Sequence, residues 1–227
     1  MVFRLHLRPR RLLAVLGVGA LLLFAASLVL ELLPELLRSH RQLAILEIDE
    51  KLGVATWYSA LLFAICAVLV VAISQQEQPP SGRTRWHWRV LAALLGLLSL
   101  SKPTSAHKVA LDLARHLSER LGFTVPRLAF GVLLLVVLTL VYLRFLLSLE
   151  PRVRRALLLA GGVYLVGLVV LDMAGGLAWH RWGGDSAAYV VTSNLEELTE
   201  MAGAILLARG FLLHYRRIVP ERNEATR

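Results

Sequence analysis

The sequence predicts an all-α, polytopic membrane protein: a bundle of six transmembrane helices with one short amphipathic helix at the interface. Three observations carry this. Hydrophobic residues make up 57% of the 227 residues and mean hydropathy is +0.63, more than a soluble domain of that size needs. Six apolar runs approach the roughly 20 residues that cross a bilayer. Tryptophan, tyrosine and arginine gather at the ends of those runs, where the head groups lie.

The first span is expected over about 12–33, behind the acid-free flank MVFRLHLRPRR with Arg4, Arg8, Arg10 and Arg11. Its apolar region is too long for a signal-peptide h-region, so an uncleaved span is expected. The second span, about 54–74, is entered through Trp57 and Tyr58, which suit the interfacial belt. The third, about 87–106, opens at Trp86 and Trp88 and has a short apolar run of about 13 residues. It must continue through Ser101, Lys102 and Pro103 to cross. The fourth is expected over 128–149, the fifth over 156–178 and the sixth over 192–214. Between spans three and four, Val109, Leu113, Leu117 and Leu121 recur every four residues. That spacing predicts an amphipathic interfacial helix over about 105–121. The whole chain reads as one membrane domain.

Sixteen of the 25 lysines and arginines fall on one side if both termini are cytoplasmic, which sets the expected orientation. The net charge of +9 is read as arginine flanks facing anionic lipid head groups, with no nucleic-acid partner. The arginine-, leucine- and alanine-rich composition suggests a bacterial inner membrane. The single cysteine, Cys66, sits inside an apolar run and reads as a small buried hydrophobe. His87, with His6 and His40, is expected in a solvated flank or loop. No GxSxG, P-loop, HExxH or GxGxxG is present.

The chemistry concentrates in the sixth span. Glu196, Glu197 and Glu200 lie within little more than a turn, and carboxylates in a bilayer are expensive and usually functional. Glu196 and Glu200 share a helix face that continues through Gly203, Leu207 and Gly210. The glycines invite close approach by a neighbour. Because adjacent spans run in opposite directions, Asp172 falls about 7 Å past the midpoint of the fifth span toward the same side. Lys102, His107 and Lys108 fall at the matching end of the third, and Glu31 near that end of the first.

The residues expected to form a buried polar cluster are therefore Glu196, Glu197, Glu200, Asp172, His107, Lys102 and Lys108. Three readings follow. His107, Asp172, Glu196 and Glu200 are candidate ligands of a divalent metal that activates water. Alternatively, the acids face the lysines in a structural ion network, or they line a proton or cation path. Lysine ammonium groups disfavour a divalent cation, so the network is the leading expectation and no cofactor is predicted.

The segments TWYSALLF, LLSLSKPTSAH and NLEELTEMAGAILL resemble a group of uncharacterised bacterial six-span membrane proteins. In that group span three ends in Asp-Glu followed by His-Glu, span five carries an acid, and the last span carries Glu-Glu-x-x-Glu-Met. The resemblance implies that Glu196, Glu197, Glu200, Met201, His107 and Asp172 occupy matching positions. Ser101 and Lys102 stand where Asp-Glu is expected, and Lys108 where Glu is expected. A metal bound by the group would not be bound here in the same way. The expected role is a non-catalytic accessory or structural subunit of a membrane assembly, with the lipid bilayer and other membrane subunits as partners. A membrane-embedded metal-dependent hydrolase of a lipid-like substrate is the alternative, and a small proton- or cation-coupled transporter the third.

Overall fold

The computed structural model describes residues 8–32, 53–76, 82–104 and 127–219, with the side chains of 82–84 and 127–136 left aside. Among the described residues every regular element is helical. Six long helices follow the six expected runs: α1 (Pro9–Leu32), α2 (Val54–Gln76), α3 (Gly82–Thr104), α4 (Arg127–Ser148), α5 (Pro151–Trp182) and α6 (Ala187–Ile218). The amphipathic helix expected over 105–121, with His107 and Lys108, lies outside the described residues. Among the described residues three helices are long and apolar enough to cross a membrane: Pro9–Leu32, Val54–Gln76 and Pro151–Trp182.

Local chemistry sets the ends. α5 begins with Pro151 in its first turn, where proline's missing N–H is not needed. It ends at Gly183, whose φ of +85° suits a residue without Cβ. Ser186 caps α6, its Oγ accepting from the Tyr189 N–H at 3.3 Å. Arg216 and Arg217 occupy the last turn of α6, where the helix dipole favours cations. Arg217 also pairs with Glu150 at 3.0 Å and ties the α4–α5 turn to that end.

The interior is built around α2 and α6. α3 packs along α2, while α6 lies against α1, α2 and α5. The Cys66 Sγ contacts the Ala204 carbonyl at 3.5 Å across α2 and α6, and Cys66 is fully buried as expected. Ser99 Oγ donates to the Ala60 carbonyl at 2.8 Å across α3 and α2.

α3 meets α6 through long side chains, with Trp88 at one end. Trp88 is 0% exposed, so the expected belt role is corrected for this residue. Its ring stacks on His214 at 5.0 Å and meets Phe145 edge-on at 4.8 Å. His87 is also corrected: it belongs to α3 and stacks on Phe145 at 5.1 Å. Burying aromatic faces against one another here outweighs placing them among head groups.

The α5–α6 pair is antiparallel and closes on glycine. A Cβ at Gly210 would meet Leu157 at 2.6 Å, and one at Gly203 would meet the Tyr164 backbone and Cβ at 2.8–2.9 Å. The face of α6 expected to admit a neighbour does so. In lipid, where apolar burial gives helices little drive to associate, such close backbone packing supplies much of the contact energy.

Candidate functional site

Within α5, residues Val166–Leu171 form a π-helical turn. Its wider winding is closed by the Asp172 N–H reaching the Gly167 carbonyl, five residues back. The turn lies directly against the acidic stretch of α6. A Cβ on Gly167 would stand 3.0 Å from the Glu196 carbonyl and 3.1 Å from Glu200 Cγ. Only glycine lets the two backbones approach this closely at the level of the carboxylates. Nothing in the sequence announces a π-turn; a buried glycine opposite the acids is the one available signal.

Four of the seven expected cluster residues are brought together. Glu200 is 4% exposed, and its Oε2 accepts a hydrogen bond and ion pair from Lys102 Nζ. Glu197 Oε2 lies 3.5 Å from the same ammonium. Glu196 is half-buried and close enough to feel the charges of Asp172, Glu200, Glu197 and Lys102. Tyr164 brings its hydroxyl to Glu200 from α5, while its ring meets Phe63 edge-on at 5.6 Å. Tyr164 was not among the expected site residues. Its position one helical turn before Gly167 is the signal that could have found it.

Asp172 requires a correction. It acts on Glu196, but it is exposed and not buried. The buried face of that part of α5 is Gly175 and Ala178, against Thr192 of α6. The depth of Asp172 follows from its place along the span, and depth does not say which side of the helix a residue faces; five residues beyond the buried Gly167, Asp172 falls off the face that meets α6. Met173 and Gly176 share the exposed side. His107 and Lys108 lie outside the described residues.

The arrangement places one ammonium amid several carboxylates, where a bare metal ion would otherwise be attracted. Among the described residues no three His, Cys, Asp or Glu side chains gather closely enough to hold a metal. The candidate ligands Asp172, Glu196 and Glu200 are therefore not assembled as a ligand set by themselves.

A second polar group, not expected from sequence, joins α1 to α6. Ser27 Oγ donates to Glu31 Oε1 at 2.6 Å. Asn194 Nδ2 lies 3.2 Å from both Glu31 oxygens and donates to the Val190 carbonyl at 2.9 Å. Ser27 and Asn194 are both 0% exposed. The i, i+4 spacing of Ser27 and Glu31 was the readable part of this arrangement.

No curated protein and no solved structure matches this chain. The sequence profile of a domain of unknown function, DUF8692, covers residues 41–215, and the chain belongs to that family.

Proposed function

We propose that this protein is a six-span inner-membrane protein of bacterial type with both termini cytoplasmic, and that it serves as a non-catalytic accessory or structural subunit of a membrane assembly. The observation that carries this reading is Lys102. Its ammonium occupies the middle of the carboxylates, contacting Glu200 and lying 3.5 Å from Glu197. A tethered cation there neutralises the acids and fixes α3 to α6, and it competes with any divalent ion for the same oxygens. Asp172 supports the partner. A carboxylate on the exposed side of a membrane helix is costly in lipid, and a neighbouring subunit that covers it removes that cost. At Gly176, beside it, no described residue lies within 4 Å of where a Cβ would be, which leaves room for a helix to approach.

Gentle extraction from native membranes tests both halves. We expect a second chain to co-purify at constant ratio, and Asp172→Asn to lose it while the thermal midpoint is kept. We also expect elemental analysis to find no stoichiometric divalent metal. Near one metal ion per chain, removed by Glu200→Gln, would sink the structural reading in favour of the metal-dependent hydrolase. Liposome flux abolished by Glu200→Gln would instead favour the transporter, a reading that the π-turn against Glu196 and Glu200 makes worth measuring, because π-turns often mark functional sites.

A further inference from the structure

We infer that the groove between the end of α2 and the start of α3 holds one anionic phospholipid, with its phosphate at Arg89 and one acyl chain over Ala92 and Ala93. The cavity there has a volume of about 390 Å³ and is lined by Val71, Ser74, Gln75, Arg89, Ala92 and Ala93. That size lies within the roughly 300–1,000 Å³ typical of small-molecule sites. Lys102 lies more than three turns further along α3, roughly 20 Å away at 1.5 Å per residue. The groove is therefore separate from the carboxylate cluster. It depends on α2 and α3 lying across the bilayer, and not on the accessory role.

The lining is graded in polarity along the two helices. Ser74 and Gln75 on α2 and Arg89 on α3 form one end. One helical turn deeper, Val71, Ala92 and Ala93 form the other. The methyl side chains of the two alanines leave open the space that larger residues on α3 would fill. Ser74 and Ala92 are buried in the floor, while Val71, Gln75, Arg89 and Ala93 are exposed along the rim. A polar end at the helix termini and an apolar end toward the middle of the spans is the polarity of a lipid molecule.

Charge selects the class of lipid. Neither α2 (Val54–Gln76) nor α3 (Gly82–Thr104) contains an acidic residue, and Arg85 stands one turn from Arg89 on the same face. Among the described residues the Arg89 guanidinium makes no ion pair or hydrogen bond, and neither does the Gln75 amide. Ser74 Oγ has its proton committed to the Val71 carbonyl at 2.7 Å. The donors left for a ligand are thus Arg89 and Gln75. A guanidinium offers its N–H groups in a fork that matches a phosphate, and basic pockets between membrane helices hold anionic head groups. A zwitterionic lipid would bring its own ammonium toward Arg85 and Arg89. The rival counter-charge is Glu77, in the connection after α2 and outside the described residues.

Native mass spectrometry of the full chain in detergent, titrated with phosphatidylglycerol or phosphatidylcholine, tests the site. One phosphatidylglycerol per chain should be retained at concentrations where phosphatidylcholine is not. Arg89→Gln should weaken retention by about tenfold, the effect of losing one hydrogen bond to a charged group. Ala93→Leu should weaken it too, by filling the apolar end while leaving the charge in place. Both positions are exposed, so both variants should keep the thermal midpoint of the lipid-free protein. Arg155→Gln, at an exposed arginine of α5, should change nothing. Equal retention of the two lipids, or equal losses in Arg155→Gln and Arg89→Gln, would reduce the effect to general surface charge and overturn the proposal. Displacement by inorganic phosphate would overturn it in favour of a free anion. A lower lipid-free midpoint in Arg89→Gln, with phosphatidylglycerol retention unchanged, would assign the guanidinium to Glu77 instead.

Discussion

Replacing Lys102 with methionine is expected to destabilise the protein by about 3–5 kcal/mol, the range seen when one partner of a buried ion pair is removed. The loss comes less from the missing attraction than from the stranded carboxylate. Glu200, at 4% exposure, would keep Glu196 and Glu197 as neighbours and lose the ammonium that contacts it. The double change Lys102→Met with Glu200→Leu should recover most of the loss, because no buried charge is then left unpaired. Thermal or denaturant unfolding in detergent of the two single variants and the double variant measures this as a cycle. Recovery is the informative result: if the double variant is as unstable as Lys102→Met, the pair does not hold α3 to α6. A catalytic role for Glu200 would show differently, with the double variant stable but inactive.

The second large effect is expected at Gly203. A Cβ there would fall 2.8 Å from the backbone nitrogen of Tyr164. The obstacle is backbone, which cannot rotate aside as a side chain would. Gly203→Leu must therefore push α5 away from α6, and overpacking of this kind typically costs about 1–3 kcal/mol or more. The displacement would also carry the Tyr164 hydroxyl away from Glu200 and loosen Gly167 against Glu196. Glycine at 161 is a matched control, since nothing lies within 4 Å of its Cβ position. Gly161→Leu should be close to neutral by the same unfolding measurement. Equal effects at the two positions would mean that helix propensity, and not the α5–α6 contact, sets the outcome.

The number and placing of the long helices were legible because apolar runs near bilayer length leave little choice. The contact face of α6 was legible too: Gly203 and Gly210 are seven residues apart, so they share a face with Glu196 and Glu200. The meeting of Lys102 with those acids followed from depth alone, since antiparallel helices bring known positions to one level. What failed depended on angle and not on depth. Trp88 sits near a helix end, where belt and core positions have the same composition, and only its direction toward His214 and Phe145 separates them. Asp172 was misplaced because depth puts it at the level of the acids without saying which side of α5 it faces. Asn194 was passed over because one amide two residues before a row of glutamates looks minor until its partner on α1 is known.

The Lys102–Glu200 contact also bears on how the chain enters a membrane. Neither α3 nor α6 is among the helices apolar enough to span by composition. A charged residue near the centre of an inserting helix is penalised by about 2.5–3.5 kcal/mol, and α6 carries three carboxylates. In the proposed six-span arrangement α3 emerges first during synthesis, so α6 would meet a counter-charge already supplied by the nascent chain. Insertion of α6 would thereby be coupled to an earlier helix. A truncation that deletes α3 should leave α6 outside the bilayer even though its own sequence is untouched.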